Sequence, residues 1–263
     1  MFLISTMLSL LYLIFAIFIN INWINDIACY FGYGLSIYLV VFVALIPGFI
    51  FIFTLISLLS NKKEKKKCKA KEEDVTILIP MYNSKETIKE TIESIKKQKY
   101  CGNIYVNIID DGSTDGSLEL LKSMELEPKI TLLETEHKGK ACALNEGLQH
   151  VKTDYTITAD SDTVLHPLAV RNIMQKLVNS DKKTVATAGC LFVKNAKKSF
   201  ITKLQEWDYT LGIFGVKLYQ GNYNSTLVAQ GAFSAYKTNA LKQIGGWQKC
   251  VGEDIVLTWE LLS

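Results

Sequence analysis

Tyr155-Thr156-Ile157-Thr158-Ala159-Asp160-Ser161-Asp162-Thr163 is an apolar run that closes on two carboxylates. Its β-branched and aromatic residues suit a strand, and the acids stand where that strand would end. In an extended segment alternate side chains share a face, so Asp160 and Asp162 can lean toward one divalent cation. Two carboxylates with open positions for phosphate oxygens are the donor set of a Mg2+ or Mn2+ diphosphate site. Alone the pair decides little. Eleven Asp among 263 residues give roughly 0.5 such pairs by chance, so a solvated turn explains it equally well until its surroundings are read.

Upstream, residues 75–80 are a short apolar run suited to a buried strand. Residues 84–98 read as a helix with Ile88, Ile92 and Ile95 on one stripe. A second strand over 104–109 ends in Asp110-Asp111-Gly112-Ser113. A helix follows from about Asp115, then a strand over 130–133 and a helix over 141–151 that leads into the strand before Asp160. Strands alternating with helices at this spacing predict an α/β domain, a mostly parallel sheet with helices on both faces. In such sheets ligands collect beyond the carboxyl ends of the strands, and each polar motif falls there.

Beyond Val193 the pattern loosens. Residues 200–219 predict an amphipathic helix, with Phe200, Leu204, Trp207, Leu211 and Phe214 near one face. That face packs on the domain, or else it meets a membrane surface or an acceptor channel. Residues 227–236 read as a strand broken at Gln230-Gly231, and a last helix begins near Glu253.

The first sixty residues differ in kind. Residues 2–19 and 35–59 are uncharged, strongly apolar runs, the second interrupted only by Pro47-Gly48. Each is long enough at helical rise for a ~30 Å hydrocarbon layer. The first has no basic residue before it and no evident cleavage site, which disfavours a signal peptide. Two transmembrane helices over 1–60 are therefore expected, the second kinked at Pro47. Lys62, Lys63, Lys65, Lys66, Lys67, Lys69 and Lys71 follow at once, in a basic linker over 61–74. Basic flanks stay cytoplasmic, so the 75–263 domain is expected on the cytosolic side of a plasma-type membrane. The lysines can also touch anionic lipid, whereas nucleic acid is disfavoured because no aromatics interleave the run. Six scattered cysteines without a CxxC pair agree with a reducing compartment. Asn224-Ser225-Thr226 is a sequon that a cytosolic domain would leave unmodified.

Five stations now stand in order: Ile79-Pro80-Met81-Tyr82-Asn83, Asp110-Asp111-Gly112-Ser113, Lys140-Ala141-Cys142-Ala143-Leu144-Asn145, Asp160-Ser161-Asp162 and Gly252-Glu253-Asp254. Over about residues 75–262 this ordered set resembles the family 2 inverting glycosyltransferases of GT-A (Rossmann-like) fold. Among them it is most like the membrane-embedded poly-N-acetylglucosamine, hyaluronan and cellulose synthases. The resemblance implies transfer of a sugar from a UDP-sugar, UDP-N-acetylglucosamine first among them, to a glycan acceptor. Pro80, Tyr82, Asn83 and the Asp-Asp-Gly-Ser turn would then cradle the nucleotide, with Asp111 ahead of Asp110 as acceptor of the uracil imide N–H. Lys140 would meet the diphosphate, and Asp160 and Asp162 would hold Mg2+ or Mn2+. Asp254, beside Glu253, would be the catalytic base, and Gly231-Ala232-Phe233 would approach the acceptor. The bland alternatives are a solvated turn at Gly112 and dipole-favoured acids at a helix start for Glu253-Asp254. His137, His150 and His166 show no ligand spacing and read as surface or satisfied histidines.

Two departures stand out. Ser84 follows Tyr82-Asn83 where the family usually has Glu, with Glu86 nearby, and Cys142 stands where Gly is more common. The family's Gln-x-x-Arg-Trp segment and later spans do not appear before Ser263. An incomplete protein, a second polypeptide supplying them, or a nucleotide-binding subunit without turnover are the alternatives this raises. A dinucleotide oxidoreductase is disfavoured because no Gly-x-Gly-x-x-Gly follows the first strand.

Overall fold

The computed structural model describes residues 2–59, 73–124, 126–127, 129–221 and 225–263. The lysine run and Asn224 of the sequon lie outside the described residues. Described residues up to 59, with 210–221 and 225, form one compact unit; 73–209 and 226–263 form the other.

The first unit is helical. Helix α1 (Phe2–Leu39) breaks at Gly32, where φ 76° and ψ 157° suit a residue without Cβ. A π-helical turn, Val40–Leu45, leads into α2 (Ile46–Leu59). The distortion expected at Pro47 thus lies one turn earlier. The proline ring crowds the carbonyl of residue 43, and the wider turn relieves that clash. The arms meet through Ala16, Val40 and Leu45, with Tyr12 over Gly48, where a Cβ would stand 2.7 Å from the tyrosine oxygen. Residues 5–56 are long and apolar enough to cross a membrane, and little of that surface is buried.

The second unit is built on a six-stranded sheet: β1 (Val75–Met81), β2 (Ile104–Asp111), β3 (Ile130–Thr135), β4 (Tyr155–Ala159), β5 (Ala186–Ala188) and β6 (Phe233–Lys237), in the order β3-β2-β1-β4-β6-β5. The first four strands are parallel; β6 runs antiparallel to both β4 and β5. The sheet is therefore mixed but mostly parallel, as its pattern predicts. Alternation along the strands feeds two cores. Ile77, Ile79, Ile108 and Ile157 face α3 (Ile88–Lys96), α4 (Ser117–Ser123) and α6 (Ala169–Val178). Leu78, Ile109 and Tyr236 face α5 (Lys140–Gln149), α9 (Thr238–Gln243) and α10 (Glu253–Leu262). Both faces are covered, which is why the strands read as continuous apolar runs.

Three elements escaped the sequence reading: β5, α6 and the six-residue α9. The first has three residues, too short for a periodic signal. The second carries Val170, Ile173, Met174 and Leu177, a clear helical spacing left unassigned. The amphipathic segment also departs from the expectation that it packs on the domain. Helix α7 (Phe200–Tyr209) buries none of its residues, and Phe200, Leu204, Trp207 and Leu211 are exposed. Periodicity fixes which side chains share a face, not what covers it. The segment continues through a π-helical turn, Thr210–Gly215, into α8 (Val216–Gly221), whose Tyr219 meets Phe53 of α2 edge-on.

Candidate active site

The chain moves from β1 outward to β2 and β3, then returns to the other side of β1 for β4. At such a reversal the loops leaving adjacent carboxyl ends diverge and leave a crevice. Here it is a cleft of about 770 Å³ lined by Pro80, Tyr82, Asn83, Asp111, Lys140, Asp160 and Asp162 among others. Residues far apart in sequence thus share one cavity. Glu86 and Ser84 line it too.

Each loop is held by its neighbours. Asn83, at φ 50°, accepts from Thr114 N through Oδ1 at 2.8 Å, and its own N–H donates to Ser113 Oγ at 3.0 Å. Asn tolerates that left-handed backbone better than most residues. Ser84 Oγ lies 2.6 Å from Ser161 Oγ, and Thr91 Oγ1 donates to Ser161 O at 3.0 Å. The residue between the two acids is thereby tied to the β1 loop and to α3. Ser84 serves as that tie.

Asp111 is 3% exposed, and its carboxylate accepts from Lys138 N and Gly139 N, each at 2.9 Å. Gly112 permits this close seating. It has φ 74°, and a Cβ there would stand 2.9 Å from His137 N. Asp110 is buried, accepts from Ser113 N, and does not line the cleft; its work is in the turn.

Lys140 opens α5 and points across the cleft, its Nζ 2.6 Å from Asp160 Oδ1 and 3.8 Å from Glu253 Oε1. Burial opposes its charge, but Asp160, Glu253 and Asp254 outweigh that and hold its pKa above the ordinary 10.5. Glu253 and Asp254 stand behind this lysine. Gly231 N donates to Asp254 Oδ2 at 3.3 Å, and Ala229 N donates to Thr258 Oγ1, which donates to Asp254 O. Ala232 and Phe233 line a second cavity, about 1210 Å³, that shares Asp160 and Asp162 with the first. Two residues have roles that the sequence did not show, one inside the cleft and one outside it. His137 lines the cleft and stacks on Tyr82, and Asn145 fastens the turn before Glu253 by bonding Trp247 N and O. Neither has a local sequence signal, because both act on partners brought near only by the fold.

The donor set also fits a hard divalent cation. Among the described residues no third His, Cys, Asp or Glu joins the pair, and Asp162 is exposed with no protein hydrogen bond. Asp160 keeps one oxygen beyond its lysine contact. Such a site leaves most positions to phosphate and water oxygens, as Mg2+ and Mn2+ prefer.

Fold, cleft and acids define a sugar-nucleotide transferase architecture. The family model for glycosyl transferase family 2 matches residues 76–245, and the chain belongs to that family. Poly-beta-1,6-N-acetyl-D-glucosamine synthases of Staphylococcus aureus and Staphylococcus epidermidis are 30% and 29% identical to it over 191 residues. The match takes 72% of this chain and 46% of each synthase, so the chain spans about half the length of these relatives. A mannosyltransferase of Pyrobaculum calidifontis, solved with GDP-Man and Mn2+, has the same fold. Its TM-score is 0.65 at 22% identity, over 80% of this chain and 59% of that one.

Proposed function

We propose that the protein transfers a sugar from a UDP-sugar, with UDP-N-acetylglucosamine the first candidate, to a glycan acceptor with inversion, dependent on Mg2+ or Mn2+, in cell-surface or extracellular polysaccharide synthesis. The observation that carries this is the single cleft joining Asp111, Lys140, Asp160 and Asp162 at the carboxyl ends of three strands. Family membership and the likeness to the staphylococcal synthases support it.

In this reading Tyr82 and Asp111 take the base, and Lys140 meets the diphosphate. Asp160 and Asp162 would hold the cation, which when bound would supply positive charge to offset that of the departing UDP. Asp254 removes the acceptor hydroxyl proton as that oxygen bonds to the anomeric carbon. The bond from that carbon to the phosphate oxygen breaks on the opposite side. Gly231 N orients Asp254, and Ala232 and Phe233 border the acceptor's approach. Residues 1–60 cross the bilayer twice, and the 75–263 domain works on the cytoplasmic face.

The test is UDP release from a panel of nucleotide-sugars by detergent-solubilised protein with Mn2+, alone and with its neighbouring gene products. Turnover that Asp254→Asn abolishes while UDP still binds is the expected result. UDP binding without turnover in every combination would establish a binding subunit instead. No UDP binding would end both.

A further inference from the structure

His137 and Tyr82 stack with ring centroids 4.1 Å apart and planes 21° apart. The same imidazole places Nδ1 2.8 Å from Asp111 Oδ2 and 3.0 Å from Asp111 O. A uracil ring bound as proposed above needs these same two things. It needs an aromatic face to lie on and a carboxylate oxygen for its imide proton. The two rings are in direct contact, so no third ring fits between them.

We infer that His137 is a stand-in for the nucleotide base: it occupies the Tyr82 face and Asp111 Oδ2 in the bare cleft and surrenders both when UDP enters. This rests on the UDP-sugar reading of the cleft. Three features make the exchange feasible. The His137 side chain is 55% exposed, so it has open space to rotate into. Asp111 keeps its bonds from Lys138 N and Gly139 N, so the loop backbone stays seated while the ring leaves. Gly112 lets that backbone lie close, which fixes the imidazole over the slot without a covalent link.

The exchange has two uses. It gives the cleft-facing Oδ2 of Asp111 a second partner beside Gly139 N when no nucleotide is present. It also sets affinity, because binding must first free a slot that is occupied most of the time. His137 is thus a positioning residue whose removal helps binding, the opposite of what a permanent wall of the base site would do.

The deciding experiment is calorimetric titration of UDP with Mn2+ into the full chain in detergent. His137→Ala should bind UDP about tenfold more tightly than wild type. Equal or weaker binding by His137→Ala, with wild type binding UDP, overturns this inference alone. No binding by either protein overturns the nucleotide reading and this inference with it. Proton NMR adds a second measurement, since the chain has only 3 histidines. The His137 ring signal should be shifted upfield by Tyr82, move downfield on adding UDP, and sit downfield in Tyr82→Ala without UDP. A His137 signal that stays in place while UDP binds overturns the inference.

Discussion

Lys140 Nζ lies 2.6 Å from Asp160 Oδ1, so the cation at the head of α5 neutralises one of the two acids that close β4. It also reaches Glu253 at 3.8 Å, so one ammonium links Asp160 to the Glu253-Asp254 segment. Lys140→Ala should lower turnover about 10²–10³-fold, the scale for losing one electrostatic contact to a developing charge. Lys140→Arg should retain part of it. UDP release under saturating donor checks both.

The same pair gives a pH dependence. Lys140 has its pKa raised in the fold, so its contribution to stability is complete below about 10.5 and fades as pH rises through the higher folded value. Thermal unfolding of wild type and Lys140→Met should therefore differ at pH 8 and converge above that range. A gap that persists in strong alkali would show that the lysine acts through packing alone.

Asp162 bears on metal binding most directly. Its carboxylate is exposed and has no protein partner among the described residues, so Asp162→Asn should leave the fold intact. It should weaken Mn2+ affinity at least about tenfold, since even outer partners of a metal ligand carry that much. Electron paramagnetic resonance of Mn2+ with UDP present reads this without turnover. Unchanged Mn2+ binding would remove Asp162 from the site.

The strand ends were legible because an apolar run that stops at polar turn residues marks where a buried strand leaves the sheet. Apolar runs over 75–80, 104–109 and 155–159 lie within the observed β1, β2 and β4, and Asp111, Asp160 and Asp162 after the last two line the cleft. Asp110 and Asp111 are neighbours of equal chemistry, and only the pleat, which sends one into the turn and one to the cleft, separates them. His137 looked like a surface histidine because its partners, Tyr82 and Asp111, lie 55 and 26 residues away. The exposed face of α7 shows the same limit from the other side: spacing revealed a stripe but not its neighbour.

Asn145 and Gly246 form a pair that tests how the segment leading into Glu253-Asp254 is held. Asn145 Oδ1 accepts from Trp247 N at 2.8 Å, Asn145 Nδ2 donates to Trp247 O at 2.7 Å, and a Cβ at Gly246 would stand 2.1 Å from that Oδ1. Asn145→Ala should cost about 1–3 kcal/mol of stability by stranding a buried N–H. It should also lower kcat more than it weakens UDP binding. Gly246→Ala combines the collision with a left-handed φ of 79°, whose backbone cost is about 1–2 kcal/mol. Removing the Asn145 side chain relieves the collision only, so the double variant should lose less than the sum of the singles. Thermal unfolding and a kcat-against-Kd comparison settle it, and strict additivity would mean the two residues do not share this contact.

Topology can be read from cysteines. Cys29 is exposed three residues before the Gly32 break, between the two apolar arms, whereas Cys250 is exposed in the second unit. If the arms cross a bilayer as two spans with basic residues held inside, Cys29 lies outside and Cys250 lies in the cytosol. A membrane-impermeant maleimide should then label Cys29 on intact cells and Cys250 only after lysis. Single-cysteine variants keeping one or the other make the assignment unambiguous. Labelling of Cys250 on intact cells would invert the domain's orientation, and labelling of neither until lysis would remove the outward loop, leaving the arms as a hairpin that enters and returns from one side.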